Sequence, residues 1–166
     1  NLHYAELAIS INMSRRHFDD PDFVDTIVNI ARKYDIPFYE LDLEITENIF
    51  LENIEHICDV VKSFHELGFQ ISIDDFGSGY SSLGMLKDVD ADCLKLDKTF
   101  VDMTGSTQKA NAIIRNVISM GLDLHMKVIS EGVETESQKN LITTFGCEII
   151  QGYYYSKPLP EDEFLE

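Results

Sequence analysis

Apolar and polar residues alternate in several short stretches of the chain, a pattern typical of β-strands. In the clearest stretch, Phe69, Ile71 and Ile73 fall on one face of the predicted strand, and Ser72 and Asp74 fall on the other. The same pattern predicts further strands at residues 7–12, 38–45, 93–97, 127–130 and 148–151.

Apolar residues recur at helical spacing between these predicted strands. The segment 48–67 carries Ile57, Val61 and Phe64 at this spacing, and Gly68 is placed to end the helix. We predict other helices at residues 21–34 (with Asp20 at the cap), 81–86, 108–124 and 135–145. Alternating strands and helices predict parallel strands joined by right-handed crossovers, either in a doubly wound sheet or in a barrel.

The second face of each strand favours the barrel. Strands of a doubly wound sheet are covered by helices on both faces and read as continuous apolar runs. Here the second face repeatedly ends in a polar group, as at Asn12, Glu44 and Asp97. Such groups converge at the carboxyl-terminal mouth of a barrel.

Composition restricts the possible partners. The 166 residues are 44% hydrophobic, which suits one folded domain. With 13 basic and 30 acidic residues, the net charge is −17, so binding to duplex nucleic acid or an anionic membrane is not expected. No apolar run approaches the roughly 18 residues of a membrane span. The three cysteines are widely spaced and odd in number, which predicts reduced thiols in a cytoplasmic protein.

Polar residues at the strand ends form a candidate metal site. Four carboxylates, two amides and one lysine would share the barrel mouth: Asn12, Glu44, Asp74, Asp75, Lys95, Glu131 and Gln151. Oxygen ligands without histidine or cysteine suit Mg²⁺ or Mn²⁺ better than zinc. Each residue taken singly is also compatible with a solvated strand end, and Asp74 and Asp75 with a cap for the helix predicted near Ser81.

Six motifs carry a resemblance to a known family. In order along the chain they are SINMS, LEITE, IDDFGSGYSS, LKLD, SEGVET and QGYYYSKPLP. Their order and spacing resemble the EAL domain family, bacterial phosphodiesterases that hydrolyse cyclic di-GMP to linear pGpG. The resemblance implies an α/β fold, a modified (β/α)8 TIM-type barrel, and covers essentially the whole chain.

The resemblance also implies roles for individual residues. One metal ion would be held by Asn12, Glu44 and Asp74, and a second by Asp74, Asp75 and Glu131, with Asp74 bridging the two. Lys95, Glu131 and Gln151 match catalytic positions, where Lys95 and Gln151 hold or polarise the attacking water. Anchoring of the loop 75–82 is implied for Glu47, Gly77, Ser78 and Gly79.

Two functions remain open at this point. The first is a phosphodiesterase that uses two Mg²⁺ or Mn²⁺ ions on cyclic di-GMP. The second is a noncatalytic receptor for cyclic di-GMP or an interaction domain. The metal-ligand and loop positions visible in the chain match the family pattern, which favours the enzyme. The resemblance further implies upstream sensory or GGDEF domains, through which the parent protein could be membrane-anchored.

One departure from the family concerns the defining Glu-Ala-Leu segment, which the chain does not contain. A (β/α)8 barrel typically needs about 250 residues. We therefore expect residues 1–166 to be a single partial EAL domain with its first units missing upstream, and to be weakly active or inactive alone. Unpaired strand edges in an incomplete barrel also predict self-association, as a homo-oligomer.

Overall fold

The computed structural model of the chain describes residues 8–51, 53–79 and 83–164. These residues divide into two compact units, residues 1–94 and 95–166, which are described separately. That both units belong to one partial domain stays a prediction.

The first unit contains three parallel strands in chain order: β1 (Ile9–Met13), β2 (Leu41–Thr46) and β3 (Gln70–Phe76). Three helices connect or follow them: α1 (Arg15–Phe18), α2 (Phe23–Lys33) and α3 (Ile54–Leu67). The strand register places Asn12 opposite Glu44 and Thr46 opposite Asp74. Parallel pairing in this order brings the carboxyl ends of all three strands to one edge.

Aromatic rings fill the layer between these strands and helices. Phe64 of α3 packs edge-on against Phe23 of α2 and against Phe69, with ring centroids 5.2 and 5.3 Å apart. Ile71 and Ile73 of β3 are fully buried, in agreement with the apolar face predicted for this strand. The apolar strand face therefore packs into the core and leaves the second face for the polar groups.

Several predicted boundaries in this unit are wrong. The strand predicted at 38–45 begins only at Leu41, since Phe38–Glu40 form a 3-10 turn after Pro37. The long helix predicted at 48–67 is a 3-10 segment, Glu47–Leu51, followed by α3, because Asn53 adopts a left-handed backbone. The cap of α2 is Asp22 and not Asp20, whose carboxylate accepts the Asp22 amide at 3.0 Å. In place of the short helix near 81–86 is a 3-10 segment, Leu83–Lys87, and residues 81 and 82 lie outside the described residues.

The second unit begins inside β4 (Cys93–Leu96) and contains the parallel pair β5 (Lys127–Ser130) and β6 (Ile149–Ile150). Its helices are α4 (Lys98–Met103), α5 (Gln108–Asp123), α6 (Glu136–Thr144) and α7 (Glu161–Phe164). Ile114, Ile118, Val133 and Ile142 are fully buried in its core. β5, α5 and α6 lie within one residue of their predicted bounds, whereas α4 was not predicted.

Within the described ranges, no helix combines the length and the hydropathy that crossing a bilayer requires.

Candidate metal and catalytic site

Three of the predicted metal ligands lie at the carboxyl-terminal edge of the first unit. Asn12 on β1 is the direct register partner of Glu44 on β2. Asp74 on β3 pairs with Thr46, which lies two residues beyond Glu44 on β2. The Asp74 side chain is therefore on the same face of the sheet as Glu44. The side chains of Glu44 and Asp74 are buried, at 6% and 8% exposed. Buried carboxylates on adjacent strands repel each other, and a bound cation relieves this repulsion.

A second polar layer, which the sequence analysis missed, lies beneath these ligands. The carboxylate of Asp42 on β2 accepts hydrogen bonds from the hydroxyls of Ser10 on β1 at 2.9 Å and Ser72 on β3 at 2.7 Å. Ser10, Asp42 and Ser72 each lie two positions before a proposed ligand on the same strand, so their side chains share the ligand face. This layer ties three strands together in the register that sets the ligand layer.

The loop after β3 is tied down by Glu47. This carboxylate is 3% exposed and accepts the amides of Gly77 at 3.2 Å and Gly79 at 3.1 Å. Asp75 has a left-handed backbone, with φ of 53°, and its carbonyl accepts the Ser78 amide at 3.1 Å. Asp75, still inside β3, therefore begins the turn that leads from the strand into the loop at Gly77. The part of the predicted loop at residues 80–82 lies outside the described residues.

Replacing Glu47 by glutamine is expected to loosen this loop. The carboxamide keeps the size of the side chain but has one acceptor oxygen, and its NH₂ group cannot accept the second amide. Loss of a charge-assisted hydrogen bond predicts about 2 kcal/mol lower unfolding free energy. Thermal unfolding and amide hydrogen exchange at Gly77 and Gly79 measure both effects. The exposed Glu66→Gln is the control, and unchanged exchange at both glycines would contradict the anchor.

Lys95 and Glu131 form the charged pair of the second unit. The Lys95 Nζ lies 2.6 Å from the Glu131 Oε1, with side-chain exposures of 7% and 21%. The backbone amide of Glu131 donates to the carbonyl of Leu96 at 3.0 Å. Glu131 is therefore fixed beside β4 by its backbone as well as by its carboxylate. A lysine this deeply buried needs such a partner to remain charged.

Gln151 is held in the same unit by its backbone. Its amide donates to Ser130 at 2.9 Å, and its carbonyl accepts the Val133 amide at 3.2 Å. These contacts place Gln151 and Glu131 on the wall of one cavity of about 260 Å³. The cavity is lined by Lys98, Glu131, Gly132, Glu134, Gln151, Gly152 and Tyr153. The sequence analysis had assigned no role to Lys98 or Glu134.

Cys58, Cys93 and Cys147 form no disulfide within the described residues. The Cys147 Sγ donates to the carbonyls of Val128 at 3.3 Å and Ile149 at 3.2 Å. Burial raises the pKa of Cys147 to about 11, so this thiol stays protonated at neutral pH and is a poor metal ligand. Asp97, a predicted polar strand end, accepts the Thr99 amide at 2.9 Å and caps α4.

Parallel strands that alternate with helices define an α/β protein, and acidic groups lie at the carboxyl ends of its strands. The EAL domain family model matches residues 1–158. The chain therefore belongs to the EAL domain family.

Three known proteins show the extent of this similarity. The signaling protein YkoW of Bacillus subtilis is 41% identical over 159 residues, which are 96% of this chain and 20% of YkoW. The structure of the PaMucR phosphodiesterase in complex with c-di-GMP is 32% identical with a TM-score of 0.90, covering 98% of this chain and 66% of that one. The manganese and c-di-GMP complex of Klebsiella pneumoniae BlrP1 is 26% identical with a TM-score of 0.87, covering 95% of this chain and 40% of that one.

These matches confirm the predicted fold class, an α/β barrel of the TIM type that is incomplete in this chain. The chain spans about a fifth of the length of YkoW.

Proposed function

We propose that this chain is part of a metal-dependent phosphodiesterase that hydrolyses cyclic di-GMP to pGpG. The observation that carries the proposal is the buried set of acids at the strand ends, Glu44 and Asp74, beside the exposed amide of Asn12. Membership of the EAL family supports it, since PaMucR is described as a phosphodiesterase in complex with c-di-GMP.

The residues fit a divalent metal. Asn12, Glu44 and Asp74 offer carboxylate and amide oxygens from one face of three adjacent strands, a donor set that suits Mg²⁺ or Mn²⁺. We propose that they hold one ion, and that Asp74, Asp75 and Glu131 hold a second. When bound, such ions lower the pKa of a water molecule and stabilise the charge that develops on a phosphodiester. The manganese complex of BlrP1 supports a metal here, and either ion is consistent with the proposal.

The protein's own groups would then position the reactants. The buried ammonium of Lys95 lies 2.6 Å from Glu131, and we propose that it and Gln151 hold the attacking water. Because this charge is fixed in a poorly solvated place, it stabilises negative charge without reorganising. Glu47 keeps the loop with Gly77, Ser78 and Gly79 against the ligand layer, so that Asp75 stays in place.

The second candidate is a receptor that binds cyclic di-GMP without cleaving it. The same strand-end groups would bind the nucleotide. The intact pattern of Lys95, Glu131 and Gln151 favours the enzyme, because binding alone does not require a buried lysine paired with an acid.

The first experiment compares this chain with a version extended upstream by about 80 residues, the length that completes a typical barrel. Hydrolysis of cyclic di-GMP is expected in the longer protein with Mg²⁺ or Mn²⁺. We expect it to be abolished by EDTA and restored by excess Mn²⁺, with much weaker turnover in the shorter chain. Nucleotide binding without hydrolysis in the longer protein would favour the receptor. Turnover that persists in EDTA would contradict the metal site.

We further propose that the domain acts in the cytoplasm, within a longer protein that carries sensory or GGDEF domains. Three cysteines that form no disulfide in the described residues support a reducing compartment, and the short span relative to YkoW supports additional domains. We also propose that the protein forms a homo-oligomer.

A further inference from the structure

Lys98 occupies an unusual position in the second unit. It is the first residue of α4, directly after the cap residue Asp97. The aliphatic part of the Lys98 side chain packs against Gly132. A Cβ atom added to Gly132 would lie 2.6 Å from the Cγ and 2.7 Å from the Cβ of Lys98. Gly132 has a left-handed backbone, with φ of 71°, so both its conformation and the space around it require glycine.

The end of the Lys98 side chain reaches past Gly132 to Glu134. The Nζ lies 2.6 Å from the Glu134 Oε1, and this hydrogen bond raises the pKa of Lys98 above its ordinary value. The backbone of Glu134 is fixed as well, because its amide donates to the Gln138 side chain of α6 at 3.0 Å. Lys98 therefore joins the beginning of α4 to the beginning of α6 across the turn 131–134.

That turn carries Glu131, which is proposed as a metal ligand. At one end of the turn, the Glu131 amide donates a hydrogen bond to the Leu96 carbonyl. In the middle of the turn, the Val133 amide donates to the Gln151 carbonyl. At the other end, the turn is held by the side-chain hydrogen bond between Lys98 and Glu134. Lys98, Glu131 and Glu134 line the same cavity, so a change in this hydrogen bond changes the position of the cavity wall that includes Glu131.

We propose that Lys98 is a positioning residue, which acts through Glu134 to hold the turn 131–134 and so aims the Glu131 carboxylate at the metal site. The inference rests on the proposed function. Lys98 and Glu134 are about half exposed, at 48% and 46%, so the pair adds little to global stability. Its effect is expected in the geometry of the ligand and in metal affinity.

The test uses Lys98→Met in the upstream-extended protein. Outer contacts of metal ligands typically change affinity or activity by 10–100-fold, so we expect about 10-fold weaker Mn²⁺ binding and about 10-fold lower kcat. The KM for cyclic di-GMP should change little. Mn²⁺ binding is measured by titration with electron paramagnetic resonance, which needs no turnover. Lys98→Arg keeps a cation that can reach Glu134 and is expected to restore most of the affinity.

Two further variants separate positioning from simpler roles. Lys62→Met removes another exposed lysine that is paired with a glutamate, Glu66 on α3, and should leave Mn²⁺ affinity and kcat unchanged. In a double-mutant cycle, Lys98→Met and Glu134→Gln should not be additive, because both break the same tie. Additive effects on Mn²⁺ affinity would contradict action through Glu134.

The remaining outcomes are also distinguishable. A higher KM with unchanged Mn²⁺ affinity would replace positioning by direct contact with the substrate. A change in melting temperature alone would reduce Lys98 to a structural role. If the parent protein binds Mn²⁺ but hydrolyses nothing, the proposed function fails while the titration still tests Lys98. If it binds no Mn²⁺, both proposals fail.

Discussion

An Asp74→Asn variant of the upstream-extended protein is expected to lose at least about 1000-fold of its cyclic di-GMP turnover without becoming less stable. Asp74 is the residue shared by both proposed metal ions, so its loss affects the whole site. A loss of several kcal/mol in transition-state stabilisation corresponds to this factor, because each 1.36 kcal/mol changes a rate about tenfold.

The thermal stability of the Asp74→Asn variant, unlike its turnover, is not expected to fall when no metal is present. Asp74 and Glu44 are buried on one face of adjacent strands. Asparagine has nearly the same shape as aspartate but removes one negative charge from this acidic edge, which weakens like-charge repulsion. The melting temperature of Asp74→Asn in EDTA should therefore equal or exceed that of the wild type. Mn²⁺ should raise the melting temperature of the wild type, because a ligand that binds the native state stabilises it, but not that of the variant.

Asp42→Asn is the matched control for this experiment. Asp42 lies on the same face of β2, two residues before Glu44. Its carboxylate accepts hydrogen bonds from Ser10 and Ser72 and is not a proposed metal ligand. Its replacement is expected to lower the unfolding free energy by about 1 kcal/mol, while the rise in melting temperature with Mn²⁺ remains. An Asp74→Asn protein that still turns over substrate, or whose melting temperature still rises with Mn²⁺, would remove Asp74 from the metal site.

The contrast between β5 and β2 shows where sequence patterns suffice. β5 (Lys127–Ser130) has the bounds predicted for it, because a short apolar run follows the end of a strongly periodic helix. The start of β2 depends on backbone geometry instead. Pro37 fixes an extended residue that leads into a 3-10 turn, and the apolar Phe38 falls in that turn although its type suits a strand.

The candidate site divides in a similar way. Residue types at strand ends predicted a metal-binding edge, and alternation correctly placed Asn12 and Glu44 on one face, since side-chain direction has period two. Contacts between distant segments were beyond this reasoning. The tie of Asp42 to Ser10 and Ser72 depends on strand register, and the tie of Lys98 to Glu134 depends on how two turns meet. The turn Glu131–Glu134 was visible as a motif, but nothing in the sequence pattern relates it to the first turn of α4.

Gly152→Ala is expected to be the most damaging of the conservative substitutions in the second unit. A Cβ at Gly152 would lie 2.1 Å from the Val133 carbonyl oxygen and 2.4 Å from the Val133 nitrogen. Both atoms belong to the backbone, so no side-chain rotation relieves the clash, and Val133 itself is fully buried. Overpacking of this kind predicts a loss of at least about 3 kcal/mol in unfolding free energy.

The same substitution should disturb the catalytic geometry. Val133 lies two residues after Glu131 and its amide donates to the Gln151 carbonyl, so separating Gly152 from Val133 moves the two proposed site residues apart. A displacement of about 1 Å can reduce turnover about 100-fold. Denaturant unfolding and cyclic di-GMP hydrolysis below the melting temperature measure the two effects separately.

Gly68→Ala is the control, because it tests the same chemical change where there is room. Gly68 ends α3 with φ of 95°, and an added Cβ there meets no atom within 4 Å. The expected loss is the backbone strain alone, about 1–2 kcal/mol, with turnover unchanged. If Gly152→Ala lowered the unfolding free energy no more than Gly68→Ala does, the backbone of Val133 would have to shift at little energetic cost. The close contact between Gly152 and Val133 would then not be what holds Gln151 near Glu131.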